Sequence, residues 1–280
     1  MTQPSGLKNM LRAAAGALPF VPRGAQLPDR KVTVDELPID RTHVAEYAEV
    51  TGLRYGDAVP LTYPFALTFP SVMSLVSGFD FPFAAMGSVH LENKITQYRP
   101  IRATDTVNIA VHAENLREHR KGLLVDVVTD VSVGNEVAWH QVTTFLHQQR
   151  TSLSDEPKPP QKKQPKLPAP KAILRISPGQ IRRYAAVGGD HNPIHTSSIG
   201  AKLFGFPTSI AHGMFSAAAV LANLEASLPD AVTYSVRFGK PVLLPASAGL
   251  YVDHVQDGWD LSLRNIAKGY PYLTGSLRTL

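Results

Sequence analysis

Residues 60–89, PLTYPFALTFPSVMSLVSGFDFPFAAMGSV, lie without a gap on residues 207–236, PTSIAHGMFSAAAVLANLEASLPDAVTYSV. Pro60 meets Pro207, Pro82 meets Pro229, Ala84 meets Ala231, and Ser88-Val89 meets Ser235-Val236. Upstream, Leu37-Pro38-Ile39 followed by Tyr47-Ala48-Glu49-Val50 echoes Arg175-Ile176-Ser177 followed by Tyr184-Ala185-Ala186-Val187. Identity is low, but the order and spacing of the anchors are kept, so one unit is written twice.

Each copy opens with a short amphipathic helix: Val44, Tyr47 and Val50 in the first, Ile181, Tyr184 and Val187 in the second, at helical spacing. After an irregular loop comes a longer apolar helix, 65–78 or 212–226, whose composition calls for burial nearly all round. Alternating strands follow. In the first copy they span 106–111, 125–133 and 137–146, with a turn at Gly134-Asn135. In the second they span 248–255, 261–265 and 272–278, with a turn at Asp257-Gly258. The pattern predicts an α+β protein in which an antiparallel sheet wraps one buried helix, twice.

The chain of 280 residues has room for two such units, each with its own core. Between them, residues 154–170 hold six prolines and four lysines (Lys158, Lys162, Lys163 and Lys166), a composition that forbids helix and central strand. This reads as an extended spacer, a polybasic interaction tail being the alternative. The expected division is an N-terminal arm, 1–30, a first unit, 31–150, a spacer, 151–170, and a second unit, 171–280. Residues 6–15 faintly resemble a signal peptide, but Arg12 interrupts the apolar run, and Pro19, Pro22 and Arg23 stand where a cleavage site belongs. They read as an arm packed on the body, with a surface-bound amphipathic helix as the alternative. No stretch approaches transmembrane length, so no stable membrane insertion is expected.

Several function classes fall away. The absence of cysteine excludes disulfides, Cys-based zinc sites and a Cys nucleophile, and suits a reducing cytoplasm. The net charge of +5 is inflated by the spacer lysines and suits an anionic ligand. No zinc-finger, helix-turn-helix or RNP-like signature accompanies it, which argues against nucleic acid. Dinucleotide, P-loop and GxSxG signatures are lacking as well. His43, His90, His112, His119, His140, His147, His191 and His254 show no metal-ligand spacing and read as surface or core.

The copies differ in one place. Tyr47 to Pro60 takes 13 steps and Tyr184 to Pro207 takes 23, the extra ten falling around 191–202. Leu53 stands where the second copy has Asp190, Ala58 where it has His195, and Phe65-Ala66 opposite His212-Gly213. Asp190 and His195 flank Asn192-Pro193, a tight-turn dipeptide that lets both side chains enter one pocket. A carboxylate and an imidazole so placed can exchange protons near neutrality. Asn192 is available to hold a water or orient the pair. The plainer alternative is an Asp capping the next helix and a satisfied histidine. Gly213, at the start of the apolar helix, offers a backbone N–H to a developing oxyanion, its alternative being a glycine that permits close packing. His212 reads as structural. Lys202, Arg237 and Lys240 are candidates for phosphate contacts, or else solvated charges.

Residues 184–195 (YAAVGGDHNPIH), continued by 202–214 (KLFGFPTSIAHGM), resemble the MaoC-like, (R)-specific enoyl-CoA hydratase 2 family, with its D-x-N-P-x-H signature and hot dog fold. The likeness spans nearly all of 171–280. The first copy resembles the degenerate N-terminal hot dog of double-hot-dog members, and the whole chain is similar to the (3R)-hydroxyacyl-thioester dehydratases of fatty-acid synthase II. The resemblance implies reversible syn hydration of trans-2-enoyl thioesters, with Asp190 and His195 as the dyad, Asn192 supporting the water and the Gly213 N–H as oxyanion donor. It implies no metal or organic cofactor, a CoA or acyl-carrier-protein thioester as substrate, and a monomer with an internal pseudo-dimer or a homodimer. Thr196-Ser197-Ser198 stand where the family often has a carboxylate, which puts a supporting acid in doubt. A hot-dog acyl thioesterase and a non-catalytic acyl-binding subunit are the competing expectations.

Overall fold

The computed structural model describes residues 23–157 and 168–280, together with Pro4 and Asn9. Most of the N-terminal arm and the Lys-rich part of the spacer lie outside the described residues. In the first copy β1 (Val32–Pro38) leads to α1 (Arg41–Thr51), α2 (Tyr63–Val76) and then β2 (Ser88–Gln97), β3 (Thr106–His119), β4 (Gly122–Val133) and β5 (Glu136–Gln148). The second runs β6 (Ala172–Ile176), α3 (Pro178–Gly188), α4 (Pro193–Thr196), α5 (Ser198–Leu203), α6 (Gly213–Leu221), β7 (Val232–Phe238), β8 (Ala246–Val255), β9 (Gly258–Asn265) and β10 (Pro271–Thr279).

Local chemistry explains the helix ends. Asp40 caps α1 through Thr42 N–H, and Ser177 caps α3 through Gln180 N–H. Gly52 and Gly189 close the same helices in the left-handed conformation, where a side chain would be strained. Helix α2 has the expected 14 residues but begins two residues earlier, whereas α6 is shorter than the sequence suggests and stops at Leu221, where Asn223 turns its amide back onto the Ala219 carbonyl. Strands β3 to β5 and β8 to β10 extend past the alternating cores that mark them. The short strands β1 and β6 carry too little alternation to be read from sequence.

All ten strands join one antiparallel sheet in the order β1-β3-β4-β5-β2-β7-β10-β9-β8-β6. The seam is β2 against β7, the equivalent strands of the two copies, from Glu92↔Arg237 to Gln97↔Val232. Antiparallel pairing of equivalent strands is what a pseudo-two-fold demands. At the outer ends the edges are blunted: β1 slips register between Val34 and Leu37, with Glu36 at φ 51° and Pro38 closing it, and β6 has only five residues.

Helices α2 and α6 lie within the curve of this sheet. Tyr47, Tyr63, Trp139, Tyr184, Phe215 and Tyr234 are among the largest fully buried side chains. Burial of each such ring contributes about 1.5–3 kcal/mol. Two of them anchor their polar tips at the helix–sheet boundary: Trp139 Nε1 donates to Leu61 O at 3.0 Å, and Tyr234 OH to Ala217 O at 3.0 Å. At the far end of α2 the described part of the arm supplies cations to free carbonyls, with Arg23 donating to Gly78 O and Arg30 to Leu75 O. Among the described residues, no helix is long and apolar enough to cross a membrane.

Candidate active site

The Gly189 cap ends α3 and releases the chain into Asp190. Asp190 Oδ1 accepts from Asn192 N–H at 3.1 Å, and Asn192 Oδ1 in turn accepts from Ile194 N–H at 3.3 Å. Pro193 at the first helical position completes the start of α4. Two nested side-chain turns therefore place Asp190 and His195 on one side of a rigid bend. The capping role weighed for Asp190 falls to Asn192, whose Oδ1 is engaged there.

His195 is held from behind. Its Nδ1 donates to Ile210 O at 2.8 Å, while Ile210 N–H donates to Ile194 O at 3.0 Å, so the turn and the approach to α6 brace one another. With the proton on Nδ1, the neutral ring keeps its lone pair on Nε2. That nitrogen lies 3.9 Å from Asp190 Oδ2. His212 closes the group: its Nε2 donates to Asp190 O at 2.9 Å, and its ring stacks on His195 with centroids 3.8 Å apart. Burial, and then the neighbouring His195, push the His212 pKa down to about 3, so it is a neutral donor at working pH. Asp190, His195 and His212 offer ligand atoms within 4.8 Å of one another, a grouping the sequence spacing hides. The hydrogen bonds of His212 Nε2 and His195 Nδ1 to carbonyls account for the arrangement without an ion.

Gly213 is the first residue of α6, and no side chain caps that end. Its N–H therefore has no acceptor within the helix. A side chain here would strike the Phe238 ring, which lies 3.0 Å from an ideal Cβ. Both the open N–H and the close packing are thus real features of this glycine.

These groups border a cavity of about 1150 Å³ between the two copies. Asp190, Asn192, His195, His212 and Gly213 come from the second copy, and Phe65, Phe69, His90 and Phe145 from the first. Arg237 and Lys240 also border it, with Arg237 3.3 Å from Glu92 and Lys240 over the Tyr270 ring. Lys202 is exposed on α5 and is not among the residues that border this cavity. Lys121 and Lys268, which sequence reasoning passed over, are in the wall instead. His90 was missed too, because it belongs to the copy without the signature.

Residues 157–270 match the MaoC like domain. The whole chain is 78% identical over 280 residues to 3-hydroxyacyl-thioester dehydratase X of Mycobacterium tuberculosis, covering 100% of each. The crystal structure of HtdX from Mycobacterium tuberculosis superposes with a TM-score of 0.82 at 76% identity, over 89% of this chain and 100% of that one. A partial match, 36% identical over 115 residues, covers 41% of this chain and 5% of the fatty acid synthase subunit beta of Saccharomyces cerevisiae. With such identity along its entire length, this chain belongs to the MaoC-like dehydratases, hydro-lyases of the hot dog fold.

Proposed function

We propose that the chain dehydrates (3R)-3-hydroxyacyl thioesters reversibly to trans-2-enoyl thioesters, with Asp190 and His195 as its proton-transfer dyad. The observation that carries the assignment is the free Nε2 of His195 facing Asp190 Oδ2 across 3.9 Å, beside the open N–H of Gly213. The dyad carries one proton between its members. In the hydration direction His195 Nε2 takes a proton from water as its oxygen bonds to C3, and Asp190 gives a proton to C2. Transfer back from His195 to Asp190 resets the pair, and dehydration runs the same steps in reverse. The Gly213 N–H, reinforced by the helix terminus, receives the thioester oxygen as it gains charge. Asn192 Nδ2 holds the water.

In this reading the first copy supplies wall and the second supplies chemistry, since Leu53 and Ala58 stand where the second copy has Asp190 and His195. Arg237 and Lys240 meet the phosphates of a CoA or carrier-protein arm at the cavity edge. The absence of cysteine supports work in a reducing cytoplasm. The test is hydration of crotonyl-CoA with chiral analysis of the product. A 3R product, lost in Asp190→Asn, is expected. Release of free CoA without hydration would turn the reading toward a thioesterase, and full activity in Asp190→Asn would remove the dyad.

A further inference from the structure

Strand β2 has an irregularity at the edge of the cavity. Its register against β5 advances from His90↔Phe145 to Glu92↔Thr144, so Leu91 is an extra residue. Side chains alternate along a strand, and Glu92 faces outward with Lys94, opposite Asn93. Without the bulge His90 would share the outer face with Glu92. With it, His90 is turned inward, the re-aiming that bulges perform beside functional sites.

There the imidazole is boxed by three rings. Phe65 stacks at 5.9 Å with 21° between planes, Phe145 lies at 5.3 Å, and Phe238 meets it edge-on at 4.7 Å. Asn93 Nδ2, itself donating to Thr143 Oγ1 at 2.9 Å, sits 3.4 Å from His90 Nε2. Phe238 is the ring already found against Gly213, with three of its carbons 3.0–3.1 Å from where a Cβ would sit. A continuous line of contacts therefore runs from the first copy, through His90 and Phe238, to the backbone of the second copy's helix start.

We propose that His90 is a positioning residue of the dehydration site: its ring wedges Phe238 against Gly213 and so sets the direction of the Gly213 N–H. The proposal rests on the functional reading above. It explains why a bulge stands at this point of β2, and how the copy without reacting groups acts on the reaction. Burial drives the His90 pKa down to about 4, so the ring packs as a neutral aromatic.

The test compares His90→Ala, His90→Phe and Phe238→Ala, and the double variant His90→Ala with Phe238→Ala. Turnover of crotonyl-CoA and the amide resonance of Gly213 in ligand-free, glycine-labelled protein are measured, with melting curves confirming folding. His90→Ala is expected to lower kcat roughly 10- to 100-fold, the scale of a small misplacement of a reacting group. KM should stay within about twofold. The Gly213 resonance moves in His90→Ala and returns toward its place in His90→Phe, which recovers most of kcat. The double variant is no slower than Phe238→Ala alone, because the two rings act in series. An unmoved Gly213 resonance, a loss carried by KM, additive losses, or His90→Phe as slow as His90→Ala would each overturn the proposal. Because the resonance is read without substrate, it judges His90 even if Asp190→Asn retains turnover and the dyad assignment fails.

Discussion

At equivalent points the two copies make opposite use of the same helix. In the second, α6 begins at Gly213, which borders the cavity and whose end of the helix has no side-chain cap. In the first, α2 begins at Tyr63, a full turn earlier relative to the shared register, with Pro64 in its first turn. Ala66, which answers to Gly213, is thus carried into the helix. Phe65 stands where His212 stands, and Tyr47 seals the region by donating to the Thr62 carbonyl. On the proposed function, this earlier helix start makes wall of the segment that bears the reacting groups in the second copy.

The comparison can be broken most severely at the dyad. Asp190→Asn and His195→Ala are each expected to lower kcat by about 10³-fold or more, since positioned acid–base groups contribute ~10²–10⁴. The melting temperature of Asp190→Asn should stay close to the parent, whereas His195→Ala also leaves the buried Ile210 carbonyl unpaired and should melt a few degrees lower. Wild-type turnover in either variant would mean that the second copy is as inert as the first.

Gly213→Ala comes next. It keeps the N–H but brings a Cβ to 3.0 Å from the Phe238 ring, making the second copy more like the first, where alanine stands. A loss of about 10- to 100-fold in kcat is expected, short of removing an oxyanion donor outright. Steady-state kinetics at saturating crotonyl-CoA would decide it.

A third contrast concerns pH. The folded pKa values of His212 and His90, about 3 and about 4, lie below the ordinary value of 6.5. Between these values and 6.5 the unfolded chain binds protons that the folded chain refuses. Stability is therefore full above about pH 6.5 and falls as pH drops, by at most about 1.4 kcal/mol per pH unit for each histidine. His212→Leu should flatten the dependence of melting temperature on pH between 6.5 and 4, at the cost of an unpaired Asp190 carbonyl. A curve as steep as the parent's would show that His212 is not held neutral.

The smallest effects belong to the cavity edge. Arg237→Glu and Lys240→Glu should raise KM for a CoA ester by about 3- to 10-fold, with kcat kept and the difference shrinking in high salt, as screened surface charges do. A salt-independent change would count against an ionic contact.

The fold was legible because duplication supplies its own control. An ungapped register of 30 residues located both buried helices, while the seam strands β2 and β7 that follow them were not among the strands read from alternation. Asp190, His195 and Gly213 were legible because proline and glycine fix the backbone around them, and the structure brings all three to one cavity. Three features escaped for physical reasons. His212 hides because stacking on His195 and bonding to the Asp190 carbonyl are long-range facts with no spacing of their own. His90 points inward only because of a bulge, and alternation by itself sends it outward. Lys121 and Lys268 reach the cavity from hairpin turns whose placement depends on the whole sheet.

The blunt borders of that sheet carry a further consequence. A regular border strand is an invitation to further backbone pairing, and duplicated sheets run the danger of growing into fibres. Here one flank ends in a kink with a proline and the other in a five-residue stub, so the row of unpaired amides is broken at both limits. A further module would find no straight ribbon to zip onto at either described limit.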